Sequence, residues 1–149
     1  MTTTIAVVGD LHSNSTVGLA NPETLLNDEG GGYKLSKGQR WLWDCWSDFN
    51  ERLAIYAKTN NVIVIVNGEA VELDSKFRTY QIFSRNPETA KEIAIGTLEP
   101  LLEIANRAYF CRGTEAHSGG SSHADEAIAK NWGKSKRNPN GIVTKNNIG

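Results

Sequence analysis

Apolar positions along the chain follow two rhythms. Runs of small and β-branched residues at 4–8 (TIAVV) and 62–66 (VIVIV), and an apolar run at 108–111 (AYFC), predict three short strands. Five β-branched residues in succession at 62–66 are expected of a strand covered on both faces. Between the first two strands the period lengthens. Leu42, Cys45, Trp46, Phe49, Leu53 and Tyr56 recur at spacings of three and four, which predicts an amphipathic helix over about 37–59 with Ser36 as its N-cap. Trp41, Trp43 and Trp46 are expected to pack in and around the core rather than to form an aromatic cage for a ligand. Asn86-Pro87-Glu88 marks a second helix start, with Asn as cap and Pro in the first turn. That helix is expected to run to about Asn106, with a distortion before Pro100. Ser122 and Asp125 form a candidate capping box for a short helix over 124–132. Segment 9–38 contains Asn21-Pro22 and Gly30-Gly31-Gly32 and reads as a long loop, of the kind that is functional or partly disordered. A mixed segment carries Lys76, Arg78, Tyr80 and Phe83, and the tail with Lys134, Lys136 and Arg137 reads as a solvated loop.

Strands alternating with helices imply an α/β fold: a mainly parallel sheet flanked by helices, with right-handed crossovers. In such sheets ligands bind beyond the carboxyl ends of the strands. Here each strand ends in a Gly beside polar groups: Gly9-Asp10-Leu11-His12, Gly68-Glu69 and Gly113-Thr114-Glu115-Ala116-His117. The topology sends Asp10, His12, Glu69, Glu115 and His117 to one edge. Carboxylates and imidazoles gathered in this way suit a divalent transition metal such as Mn, Zn, Fe or Ni. Glycine beside each group lets the backbone turn tightly. Taken singly, each residue has a structural reading as a turn, a cap or a surface side chain; repetition at three successive strand ends is what argues for a site.

Bulk properties narrow the class. A chain of 149 residues fits one domain, and 39% hydrophobic with 22% charged residues is ordinary for a folded protein. Sixteen basic residues against seventeen acidic ones leave no global field toward nucleic acid or an anionic membrane. No apolar run is long enough to span a bilayer, and no secretory signal opens the chain, so a cytoplasmic location is expected. The two cysteines, Cys45 and Cys111, sit in apolar patterns and read as isolated buried thiols, a Cys45–Cys111 disulfide being the alternative.

Gly9-Asp10-Leu11-His12 resembles the first motif of the calcineurin-like metallophosphoesterases. Asn67-Gly68-Glu69 resembles their second motif, normally Gly-Asp, and Arg112-Gly113-Thr114-Glu115-Ala116-His117 a variant of the third. The wider wording "GDLHSNSTVGLANPE" and "RGTEAHSGGSSHADE" is similar to phage-encoded members. The resemblance implies that Asp10 and His12 hold a first metal. It puts Glu69 in the place of the bridging Asp, Thr114 where the family has an Asn ligand, and His117 near the catalytic His. It also implies a divalent metal cofactor and a phosphate-ester substrate, nucleotides and nucleic acids among the options. The family's later Gly-His and Gly-His-x-His motifs have no counterpart, since the histidines are His12, His117 and His123.

The resemblance thus covers a single, shortened domain over 1–149, like the N-terminal half of the family's four-layer α/β/β/α sandwich. One sheet face is then expected to lie bare and to find a second copy or another partner. Two functions follow as expectations. One is a metal-dependent phosphoesterase acting through a metal-activated water, with one ion or two, in the host cytoplasm if the chain is phage-encoded. The other is a phage binding or assembly module in which the site is weak or inactive.

Overall fold

A computed structural model describes residues 2–26, 30–74, 81–118 and 123–133. The elements follow in the order β1 (Thr3–Val8), α1 (Lys37–Ala57), β2 (Asn61–Asn67), α2 (Pro87–Ile104), β3 (Arg107–Cys111), α3 (Glu115–Ser118) and α4 (His123–Gly133). The three strands form one parallel sheet in the order β1-β2-β3, with Val8 beside Val66 and Asn67 beside Cys111. The α/β architecture expected from the alternation is therefore present. So is the alignment of strand ends, which places the three polar tips side by side.

The strand order also decides where the helices go. Both crossovers step in the same direction across the sheet, and right-handed connections that never reverse direction lay their helices on one face. Ala6, Val62, Val64, Val66, Ala108 and Phe110 are all buried in one core with Trp46 and Leu53 of α1, Leu98 and Leu101 of α2, and Ile128 of α4. The alternate positions face away: Ile5 and Val7 are each 60% exposed, and Ile63 and Ile65 are half-buried. The expectation that 62–66 is covered on both faces is thus corrected. Its β-branched residues suit a strand whether or not a second layer is present.

Both long helices start as their caps direct. Ser36 and Gln39 close a reciprocal capping box on α1, and Asn86 caps α2 with Pro87 in the first turn. α2 is helical through Pro100, where a distortion was expected. Proline has no N–H to offer the Gly96 carbonyl, and that carbonyl accepts Asn21 Nδ2 instead (3.4 Å). The buried face of α1 runs through Gln39, Trp46, Asn50 and Leu53, with Leu42, Trp43 and Phe49 at its margin. Trp46 also donates its Nε1–H to the Thr97 carbonyl (3.1 Å), which locks α1 onto α2. Three expectations fail along this helix. Trp41 is exposed rather than packed, Tyr56 lies off the buried face, and Cys45 is exposed. Cys45 and Cys111 are both free, and Cys111 is half-buried. A three- and four-residue period gives the direction of a stripe but not its width.

Among its described residues the long connection from β1 to α1 carries no regular element, yet it is packed. Ser13, Asn14 and Ala20 are fully buried, and Leu26, Leu35, Phe83 and Ile93 form a second small core with Tyr33, whose ring stacks on Phe83. Gln39, also buried, ties α1 to this loop by donating to the carbonyls of Ser15 and Gly18 (both 3.2 Å). Gly18 sits so close that a Cβ there would lie 2.2 Å from the His12 carbonyl oxygen. Lys76, Arg78, Tyr80, Ser122, Lys134, Lys136 and Arg137 lie outside the described residues.

A one-sided core makes a specific prediction. Val64→Thr places a hydroxyl in the sealed face and should cost about 1–3 kcal/mol in urea unfolding. Val7→Thr, on the open face of the neighbouring strand, should change stability by less than about 0.5 kcal/mol. Equal losses at the two positions would contradict the arrangement.

Candidate metal centre

Past the last strand pairs, the loops remain zipped together. His12 N–H donates to the Glu69 carbonyl (3.0 Å), Ser13 N–H to Ala70 (3.1 Å), and Glu72 N–H to Ser13 (2.7 Å). The third loop joins through Leu73 N–H, which donates to the His117 carbonyl (2.8 Å). Asn14 clamps the bundle from inside: its Nδ2 donates to the carbonyls of Glu72 and Ser84 (2.9 Å each), and its Oδ1 accepts Ser84 N–H (3.0 Å). α4 holds the third loop from the far side. Asp125 accepts Gly113 N–H (2.8 Å), and Arg112 pairs with Glu126.

This network holds the backbone in uncommon conformations. Asp10, His12, Asn14 and Glu69 have positive φ, at 54°, 46°, 78° and 54°. Asp, Asn and His tolerate that region better than most residues; Glu does not share the advantage. Each such residue costs on the order of 1 kcal/mol or more and persists only where its surroundings over-determine it, as at functional sites. Gly113 makes the packing possible, since a Cβ there would lie 2.6 Å from the Glu69 nitrogen.

The side chains converge as the backbone directs. Glu72, only 4% exposed, lies between two imidazoles. His12 Nδ1 is 2.9 Å from Glu72 Oε2, and His117 Nδ1 is 2.8 Å from the same oxygen and 3.0 Å from Oε1. A carboxylate only accepts, so both rings meet it with Nδ1–H, which turns each Nε2 toward the carboxylates on the other side. His12 Nε2 then faces two further carboxylates, Glu69 Oε2 at 3.4 Å and Asp10 Oδ1 at 3.7 Å. His117 Nε2 lies 3.8 Å from Glu69 Oε2. Carboxylate oxygens gathered around a ring nitrogen favour a positive charge there, either a proton on the ring or a bound cation. Among the described residues two groups could hold a metal ion: Asp10, His12 and Glu69, and His12, Glu72 and His117, with ligand atoms within 4.8 Å of one another in each group. Nitrogen and oxygen donors of this kind match the expected divalent transition metal.

The sequence-derived site residues are thereby accounted for. Asp10, His12 and Glu69 come together, with Asp10 the most exposed. His117 joins them through Glu72. Thr114 is placed as a donor to Glu69 Oε1, by its hydroxyl at 2.8 Å and its amide at 3.4 Å. Glu115 opens α3 and His123 opens α4, both exposed and in neither group. Glu72 escaped the sequence reading. Its only signal was an acid set three residues after Glu69 among Ala70, Val71 and Leu73, where a surface acid would be out of place.

Burial alone would raise the Glu69 carboxyl. The Thr114 hydroxyl bond, the charge of His117, the Thr114 amide and the charge of His12 together outweigh it and hold the group below the usual carboxylate value. A lowered folded-state value means these contacts contribute stability above the unfolded carboxylate value, lost as pH falls through the folded one. Comparison of the chain with protein-family models, with curated proteins and with solved structures gives no match.

Two outcomes are expected. Glu72→Gln removes the acceptor that orients both rings and should weaken Mn or Zn affinity about 10–100-fold, measured by competition with a chromogenic chelator; unchanged affinity would contradict the orienting role. Thr114→Val removes one donor to Glu69. The Glu69 titration, followed by its side-chain carbonyl NMR shift, should then move to higher pH. A titration that stays in place would show that the hydroxyl does not hold it down.

Proposed function

We propose that the chain is a metal-dependent phosphoesterase that hydrolyses a phosphomonoester or phosphodiester. The observation that carries this reading is the convergence of Asp10, His12 and Glu69 from two strand tips, with His117 brought to the same cluster by Glu72. Asp10, His12 and Glu69 would hold a divalent ion. A divalent ion in such a site supplies a nucleophilic water near neutral pH and offsets charge on the phosphoryl oxygens. His12 would use Nε2 for that ion, because Glu72 occupies its Nδ1. Thr114 keeps Glu69 turned toward the cluster and ionised. His117 Nε2, on the Glu69 side, is positioned to give a proton to the departing oxygen or to steady the phosphate. The motif resemblance at residues 9–12, 67–69 and 112–117 supports the same chemistry.

The open sheet face favours a second reading, a binding or assembly module of a phage with little metal affinity. Ile5 and Val7 leave apolar surface that a second copy or a partner would cover. Among the described residues no helix is long and apolar enough to cross a membrane.

One experiment separates the two readings. Bound Mn, Zn, Fe and Ni are measured, and hydrolysis of an aryl phosphodiester is assayed with each, for the chain and for Asp10→Asn. Asn suits the positive φ at this position, so the substitution removes charge without backbone strain. The expected result is a metal-dependent rate that Asp10→Asn lowers by more than the ~10–100-fold typical of outer-shell losses. A rate untouched by the substitution would rule out this centre. No metal and no rate would leave the module.

A further inference from the structure

A cleft of about 500 Å³ runs from the cluster along the outer side of β1 toward α1. One end is formed by Asp10, His12 and Glu72. The walls beyond are Val17 from the long loop and Leu42, Cys45 and Phe49 from α1, with Trp46 behind them. The apolar stripe of α1 therefore has two uses. Trp46 and Leu53 enter the core, while the margin at Leu42, Cys45 and Phe49 lines open space. This explains why Cys45, in step with the buried positions, is exposed.

Charge says what fits. Among the described residues no Lys or Arg lines the cleft, and away from its acidic end the polar side chains there are the neutral Ser15 and Gln81. Along these described walls a ligand with several negative charges would find no counter-charge. A ligand with one anionic head, placed over a cation at the carboxylate and imidazole end, and an uncharged apolar body would match both parts. The size suits such a small molecule. Resting on the phosphoesterase reading, we propose that the site takes phosphate esters bearing an apolar ring or chain, seated against Val17 and Phe49, in preference to esters whose second substituent is charged or strongly polar.

The exposed Cys45 thiol provides a readout independent of turnover. Its alkylation by iodoacetamide is timed in the presence of Mn²⁺ with phenylphosphonate or with methylphosphonate. The two share a head group and differ only in the ring. Phenylphosphonate should slow Cys45 alkylation about tenfold, with methylphosphonate having little effect and Cys111 serving as internal control. Val17→Asp, at a position 72% exposed and so without effect on the urea midpoint, should abolish the protection. Equal protection by both phosphonates, or none by either, would overturn the inference even if metal-dependent hydrolysis of an aryl phosphodiester persists. Protection without any metal-dependent hydrolysis would sink the phosphoesterase reading and leave the cleft assignment standing.

Discussion

A carboxylate almost sealed from water has to be paired, and Glu72 is paired by two imidazoles. Much of the local structure serves that arrangement. His12 reaches Glu72 only because the loop after β1 turns through positive φ at residues 10, 12 and 14. His117 reaches it only because the third loop is tied back by Leu73, and α4 grips that loop at Gly113 and Arg112. The backbone of Glu72 is fixed by Ser13 and by the buried amide of Asn14. With Nδ1 of both rings turned to Glu72, each Nε2 faces Glu69, and His12 also faces Asp10. The centre is thus polarised: oriented from beneath by a buried acid and open above through the exposed Asp10.

The sheet supplies the geometry that makes this possible. Parallel register brings the three tips to one edge, and the unreversed order β1-β2-β3 puts every packed helix on one face. The same topology leaves Ile5 and Val7 uncovered. A site at one edge and an open apolar face are therefore two results of a single connection rule.

Much of this was legible in the sequence. Gly9-Asp10-Leu11-His12 marked two of the side chains that converge, because those residues lie just past a strand end. Ser36 and Asn86 announced the helix starts, since capping is local. What stayed hidden depends on contacts between distant segments. Glu72 is buried by loops from three parts of the chain, and nothing near it in sequence reports that. The role of Thr114 as a donor to Glu69 depends on how close Gly113 lets the two loops come. Cys45 follows the helical period of the core, yet faces a cleft whose other wall comes from Val17. The one-sided covering of Val62 to Val66 rests on strand order, to which the β-branched run itself is indifferent.

The central claim is that Glu72 orients the two imidazoles while Asp10, His12 and Glu69 hold the ion. Anomalous diffraction from crystals soaked in Mn²⁺ tests it most directly. A peak within bonding distance of His12 Nε2 and the carboxylates of Asp10 and Glu69, with Glu72 still on both Nδ1 atoms, is the predicted result. A peak seated between Glu72 and the two Nδ1 atoms, or none near these residues, would contradict it.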